Sequence, residues 1–124
     1  MSRITVDVRS RVPLFLQIVA SVRELVIHGI LKPDELLPSV RALATELAIN
    51  PNTIQKAYTE LERQKVIYSL SGRGNFVASD ISHIIDVNRG ELLEKLRADV
   101  AAARNAGISD SEIFEILKGG SQND

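Results

Sequence analysis

The chain contains no cysteine, and none of its apolar runs is long. Without cysteine it can form neither disulfides nor thiolate metal sites, as is usual for a protein in a reducing compartment. No run approaches the roughly 18 apolar residues needed to span a bilayer. The first ten residues, MSRITVDVRS, lack the apolar core of a signal peptide. We therefore expect a cytoplasmic location and no association with a membrane.

Groups that commonly carry catalysis or bind metals are also scarce. The chain has 2 histidines, His28 and His83, which lie far apart and outside any cluster of carboxylates. We therefore expect no metal site and no cofactor. No stretch resembles a nucleophile elbow or a phosphate-binding loop. These absences argue against an enzyme.

The small net charge of −1 hides an uneven distribution along the 124 residues. Residues 1–79 contain 10 Lys+Arg and 7 Asp+Glu, a net charge of +3, whereas residues 80–124 contain 5 and 9, a net charge of −4. Such a difference would arise if the first part faced a polyanion, although solvated surface charge alone could produce it. The apolar content of 44% is typical of a soluble globular protein.

One amphipathic pattern occurs twice within LPSVRALATELAINPNTIQKAYTEL, residues 37–61. In each copy, apolar residues stand at relative positions 0, 3, 4 and 7. They are Val40, Leu43, Ala44 and Leu47, and then Ile54, Ala57, Tyr58 and Leu61. This spacing predicts two short helices, about 39–47 and about 51–65, each with one apolar face.

The residues around these helices predict how they begin and how they are joined. Ser39 and Asn50 suit the N-cap positions, and Pro51 suits a first helical turn. Only Ala48, Ile49 and Asn50 lie between the helices, so we expect a sharp turn. On the apolar face, we expect Tyr58 in the core with its hydroxyl at the edge.

Further elements are predicted on both sides of this pair. A helix from about 13 to 28 precedes it, and a β-hairpin comes after it, with strands near 66–70 and 75–78. Beyond residue 80 the chain becomes helical again. Five apolar residues form a stripe that should end near Gly107: Leu92, Leu93, Leu96, Val100 and Ala103. Ser109 and Glu112 have the spacing of a capping box and predict a last helix that ends at Gly119-Gly120.

The predicted fold is mainly α with a small β-hairpin wing. It comprises a winged helix-turn-helix, residues 1–79, and a short two-helix tail, residues 80–124. A tail of this length cannot bury the leucine stripe by itself, and a second copy of the chain is the natural cover. We therefore expect a homodimer formed through the tail, with these residues at its centre: Leu92, Leu93, Leu96 and Val100.

The polar positions of helix 51–65 should face away from the core, and a helix of this size fits the major groove of DNA. The outward candidates near its N-terminus are Asn50, Asn52, Thr53, Gln55 and Lys56. Asn and Gln side chains suit adenine, Thr suits a thymine methyl or a phosphate, and Lys suits a phosphate or guanine. At the hairpin tip, Arg73 suits a narrow minor groove or a phosphate.

Four motifs occur in an order and spacing that resemble the GntR family of bacterial transcription regulators, and specifically its small YtrA-like branch. They are PLFLQI from residue 13, LPSVRALA from 37, NPNTIQKAY from 50 and GRGNFV from 72. The resemblance implies a homodimeric repressor on an inverted-repeat DNA operator, often beside transporter genes. It also implies DNA contacts for Arg41, Gly72 and Arg73, and again for Asn50, Asn52, Thr53 and Gln55.

The chain departs from the family pattern at three positions. Asp34 and Lys65 stand where the family favours glycine, at turns that suit a left-handed backbone. Asp adopts that conformation more readily than Lys. If the backbone differs from the family pattern, we therefore expect the difference at Lys65, in the turn after helix 51–65. Pro51 stands where many relatives have arginine, so this chain should prefer different bases from those relatives.

Two other functions are compatible with the same residues. The winged helix could serve as a protein–protein adaptor that binds no operator. Alternatively, a small-molecule effector could regulate the protein from a pocket between the tail helices of a dimer. A steep loss of binding with rising salt would distinguish DNA binding from an adaptor role.

Overall fold

The computed structural model describes residues 3–119. Within it the chain forms two compact units, one up to Ile85 and one from Asp86 onward. No helix among these residues is long and apolar enough to cross a membrane. Gly120, part of the predicted end of the last helix, lies outside the described residues.

Within residues 3–119, five helices and a two-stranded antiparallel hairpin confirm the predicted mainly α fold with a β wing. In chain order they are α1 (Leu14–Ile27), α2 (Val40–Leu47), α3 (Pro51–Arg63), β1 (Ile67–Leu70), β2 (Gly74–Val77), α4 (Ser82–Asn105) and α5 (Asp110–Gly119). The bounds of α1 to β2 differ from those predicted by at most two residues. Periodicity and caps thus place these elements well.

Helices α2 and α3 begin with the predicted caps. The Ser39 hydroxyl accepts a hydrogen bond from the Ala42 amide at 3.0 Å. The Asn50 side-chain oxygen accepts one from the Asn52 amide at 2.8 Å, and Pro51 opens α3. Each cap satisfies a donor that the first helical turn leaves without a partner.

The core of the first unit lies between the apolar faces of α1 and α3, which α2 and the hairpin cover. Ile54, Ala57, Tyr58 and Leu61 of α3 are buried, as the doubled spacing predicts. The Tyr58 hydroxyl reaches the edge of the core and donates to the Pro38 carbonyl at 2.7 Å. Burial raises the pKa of Tyr58, so the hydroxyl stays protonated and keeps donating.

The first turn of α4 also contributes to this core, because Ile84 is only 2% exposed. The compact unit therefore extends to Ile85, beyond the predicted boundary at residue 79. Compactness does not assign a task to either part of the chain. DNA binding by residues 1–79 and dimerisation by residues 80–124 stay predictions.

Each of the three helices of the helix-turn-helix is followed by a left-handed residue: Gly29 (φ 74°), Ala48 (φ 56°) and Lys65 (φ 61°). After α3, the Val66 amide donates to the Leu61 carbonyl and the Lys65 amide to the Glu62 carbonyl. This is the Schellman arrangement, which satisfies the last carbonyls of a helix. Lys65 thus adopts the left-handed geometry that glycine would favour, and the turn keeps its form.

Asp34, the other residue that stands where the family favours glycine, is left-handed as well, with φ 65°. Its carboxylate accepts hydrogen bonds from the Ser79 hydroxyl at 2.5 Å and the Tyr68 hydroxyl at 2.8 Å. These bonds, that from Ser79 above all, hold the pKa of Asp34 below its ordinary value. A glycine at this position could not make these links to the base of the wing.

The second unit contains the rest of α4 and all of α5. The Ser109 hydroxyl accepts from the Glu112 amide at 3.1 Å, which confirms the predicted cap of α5. Among residues 86–119 none is fully buried, and Leu92, Leu93 and Leu96 are 59%, 39% and 48% exposed. The apolar stripe on α4 therefore has no cover within the described part of this unit.

Replacing Tyr58 by Phe tests the bond to Pro38. We expect Tyr58→Phe to lower the free energy of unfolding by about 1 kcal/mol, because the partly buried Pro38 carbonyl loses its donor while the ring still fills its place. Urea denaturation followed by circular dichroism measures the change. Tyr68→Phe removes an exposed hydroxyl that water can replace and should cost less; an equal loss in both variants would contradict the importance of this bond.

Candidate nucleic-acid interface

One face of α3 is polar and exposed, because the opposite face is committed to the core. Asn52, Gln55 and Lys56 lie on this outer face, and Thr53 is half-buried at its edge. The structure thus brings these four predicted residues together with Asn50 on the first two turns of α3 and its cap. Their arrangement follows from the helical period alone.

The amide side chains of this face differ in the hydrogen bonds that they make within the protein. Asn50 caps the helix through its side-chain oxygen. Gln55 donates to the Thr59 hydroxyl at 3.3 Å. The side chain of Asn52 makes no hydrogen bond with any residue between 3 and 119, so both its donor and its acceptor are available to a base edge.

Charged side chains divide into paired and unpaired groups. Arg3 pairs with Glu35 at 2.6 Å, and Arg63 pairs with Glu60 at 2.5 Å. The Arg63 hydrogen bond lowers the pKa of Glu60 to about 2. Within the described residues, neither Arg41 on α2 nor Arg73 in the wing forms an ion pair. These exposed cations remain available to an external anion.

Lys56 is held by a ring rather than by a carboxylate. Its ammonium nitrogen lies 4.0 Å from the centroid of the Phe15 ring, a cation–π contact. Leu14, Phe15, Asn52, Thr53 and Lys56 line an open groove of about 390 Å³ between the first turns of α1 and α3. The apolar spacing assigns Phe15 to the helical face and gives no signal of this contact with α3.

The wing is a hairpin with a three-residue loop, Ser71-Gly72-Arg73, closed by the pair Leu70 and Gly74. Gly72 has φ 75° and Gly74 has φ 120°, so the turn itself requires both glycines. Arg73 is exposed at the tip. The turn explains the position of Gly72, and the contacts of Gly72 and Arg73 with DNA stay predictions.

The base of the wing is anchored to the segment before α2. The Leu37 amide donates to the Asn75 carbonyl at 2.8 Å, and the Val77 amide donates to the Glu35 carbonyl at 2.9 Å. The Asp34 amide in turn donates to the Val77 carbonyl at 2.9 Å. Residues 34–37 thus add to the edge of β2.

The candidate residues form three separate sets on the first unit: Arg41 on α2, Asn50 to Lys56 on α3, and Gly72 with Arg73 in the wing. No hydrogen bond, ion pair or ring contact among residues 3–119 joins one set to another. Nor do the described His, Asp and Glu side chains form a cluster of three that could hold a metal ion. The arrangement suits an extended polyanion better than a small ligand.

Comparisons with known proteins agree with this geometry. Residues 14–77 match the family described as bacterial regulatory proteins, gntR family. The chain is 37% identical to the HTH-type transcriptional repressor YtrA of Bacillus subtilis, over 98% of this chain and 99% of that protein.

Two solved structures extend the likeness to the fold. A transcriptional regulator from Oenococcus oeni has a TM-score of 0.83 at 33% identity, covering 92% of this chain and 95% of that one. YtrA from Sulfolobus acidocaldarius, a GntR-family transcription factor, has a TM-score of 0.63 at 33% identity, covering 77% and 99%.

Substitution of Asn50 separates its role as a cap from any contact with a base. We expect Asn50→Ala to lower the free energy of unfolding by about 1 kcal/mol, because the Asn52 amide loses its acceptor. Asn50→Asp keeps an acceptor and places a negative charge at a helix N-terminus, so it should retain the stability. Urea denaturation of both variants measures the free energy of unfolding. An Asn50→Ala variant as stable as the parent would contradict the capping role.

Proposed function

We propose that this chain, which belongs to the gntR family of bacterial regulatory proteins, represses transcription as a homodimer on an inverted-repeat operator. Members of this family are DNA-binding transcriptional regulators and not enzymes. The observation that carries this proposal is the exposed polar face of α3. It is flanked by Arg41 on α2 and Arg73 in the wing, neither of which forms an ion pair within residues 3–119. Repression is supported by the name of the Bacillus subtilis relative, which is a transcriptional repressor.

Sequence is read from the first two turns of α3. The free amide of Asn52 can pair with adenine through one donor and one acceptor, and Gln55 can do so after releasing Thr59. Thr53 and Lys56 lie beside them for a phosphate or a base edge. Pro51 donates no hydrogen bond, so the base preference should differ from that of relatives with arginine at this position.

Affinity comes from the cations around this helix. Arg41, Lys56 and Arg73 belong to three different elements, so together they can meet phosphates along an extended length of duplex. Contacts to phosphate set the register of the protein on DNA and make binding salt-dependent. The absence of carboxylate partners for these three side chains within residues 3–119 matters here, because no internal ion pair has to break before DNA binds.

The apolar residues of the second unit support dimerisation. Leu92, Leu93 and Leu96 are partly exposed on α4, and Phe114 and Ile116 are 60% and 69% exposed on α5. A second copy would cover such a surface and would repeat the α3 surface about a two-fold axis. Two recognition helices then match two half-sites of inverted sequence, about one helical turn apart or a multiple of it.

The likeness to YtrA-like regulators extends the proposal to the genes under control. We propose a cytoplasmic regulator of a transporter operon, tested by measuring which transcripts rise when the gene is deleted. A small-molecule effector stays a prediction.

Arg41 offers a direct test, with Arg63 as the matched control. We expect Arg41→Ala to weaken operator binding roughly tenfold and to reduce the slope of log K against log salt by about 0.9 for each protomer. Arg63→Ala removes the same charge from a residue already paired with Glu60 and should change both quantities little. Fluorescence anisotropy across a salt series measures them. Equal losses would mean that only net charge matters, and salt-independent binding would favour an adaptor.

Dimerisation is tested best in the full-length chain, because a cut at Ser79 would remove Ile84 from the core. We expect Leu92→Asp with Leu96→Asp to give a monomer in sedimentation velocity, since two buried carboxylates would destabilise the interface. Ala98→Asp places a charge on the opposite side of α4 and should leave a dimer. A dimer that survives the double substitution would place the interface elsewhere.

A further inference from the structure

Phe15 lies outside the set of residues that face DNA, yet its ring contacts one of them. The ring is half-buried on the first turn of α1, packed against the core, and the Lys56 ammonium lies 4.0 Å from its centroid. We propose that Phe15 is a positioning residue for DNA binding: its ring holds the Lys56 ammonium ready for a backbone phosphate. This inference rests on the proposed DNA-binding function.

The choice of partner for Lys56 has a physical consequence. Two other lysines contact carboxylates: Lys95 lies 3.0 Å from Asp99 and Lys118 lies 3.7 Å from Glu115. Lys118 is also 5.7 Å from the centroid of the Phe114 ring. A carboxylate would fix the ammonium but would also repel phosphate and cancel the positive charge. The face of an aromatic ring attracts the ammonium without adding net charge. Phe15 can therefore order the lysine and leave its charge for DNA.

Ordering matters because a lysine side chain is flexible. A free lysine loses rotamer freedom when it grips a phosphate, and a lysine that is already restrained loses less. The restraint here comes from a rigid source, since α1 is fixed by four buried residues: Ile18, Val19, Val22 and Val26. Because the ring is fixed relative to the core, the ammonium that contacts it is also restrained relative to the core.

The contact with Phe15 also leaves the side chain of Asn52, which we assign to base reading, without a hydrogen bond from Lys56. Asn52 and Lys56 are separated by one helical turn, so their side chains are neighbours on the face of α3. Lys56 lies against Phe15 and makes no hydrogen bond to Asn52 within the described structure. The amide of Asn52 therefore stays available while the ammonium remains beside it.

A double-mutant cycle separates this role from simple packing. The duplex carries the inverted repeat recovered by selection from a random library, with a mixed-sequence duplex of equal length as a second probe. We expect Phe15→Leu to weaken binding roughly two- to fivefold, the range of an exposed cation–π contact. In a Lys56→Met background, which keeps the stem and removes the charge, Phe15→Leu should have no further effect.

Two further variants guard against a trivial loss of folding. Phe15→Tyr keeps the ring and should bind within about twofold of the parent, which a cation–π contact tolerates. Pentafluorophenylalanine at position 15 keeps the shape but reverses the charge of the ring face, so it should weaken binding as Phe15→Leu does. Circular dichroism and urea denaturation check that each variant is folded.

Three outcomes would count against the inference, and they differ in meaning. If Phe15→Leu weakens binding equally in the parent and in the Lys56→Met background, Phe15 is only a packing residue and the inference fails. Binding that is unaffected by pentafluorophenylalanine leads to the same conclusion. If the folded parent protein binds neither duplex, the proposed function itself fails.

Discussion

Helix α3 presents its outer face only because its inner face is held in the core. Ile54, Ala57 and Leu61 are fully buried, and Tyr58 adds a directional bond from its hydroxyl to the Pro38 carbonyl. Pro38 immediately precedes the N-cap of α2, so this one bond ties the middle of α3 to the start of α2. Arg41, one turn further on, thereby keeps a defined place relative to the residues of α3. This bond and the burial of Leu43 and Ala44 of α2 in the same core fix the candidate residues of the two helices relative to one another.

Sharp helix ends are the second constraint, and two of the three are made without glycine. Ala48 and Lys65 adopt left-handed backbones that cost an L-residue roughly 1–2 kcal/mol. Each is followed by a buried apolar residue, Ile49 and Val66 respectively, whose amide bonds back to the helix. Burial of that residue and the satisfied carbonyls offset the backbone cost. The turn of the helix-turn-helix is thus stabilised by the buried Ile49 as much as by the left-handed Ala48 before it.

Much of this architecture can be predicted from the sequence because its causes are local. The apolar spacing, the caps at Ser39 and Asn50, and the glycines of the wing each act within a few residues. The outer face of α3 can be deduced at once, since it is the part of the helix that the core leaves exposed. By contrast, the role of Arg41 is inferred only from the resemblance to the GntR family, because a surface arginine has no local signature.

The features that cannot be predicted depend on contacts between residues distant in sequence. The addition of residues 34–37 to the wing joins segments about 40 positions apart. The contact of Lys56 with Phe15 and the burial of Ile84 in the first unit are likewise set by packing of whole elements. Left-handed Ala48 is also unpredictable, because alanine gives no sign of that conformation. Apolar periodicity predicts which face of an element is buried, but it does not predict which residues pack against that face.

The central claim, a homodimer that reads an inverted repeat, is tested most directly by selecting bound duplexes from a random DNA library with the full-length protein at moderate salt. We predict enrichment of an inverted repeat whose half-sites lie about one helical turn apart or a multiple of it. Recovery of an unpaired half-site, or of DNA with no common sequence, would contradict dimeric sequence reading. Folded protein that retains no DNA at all would contradict the proposed function as a whole.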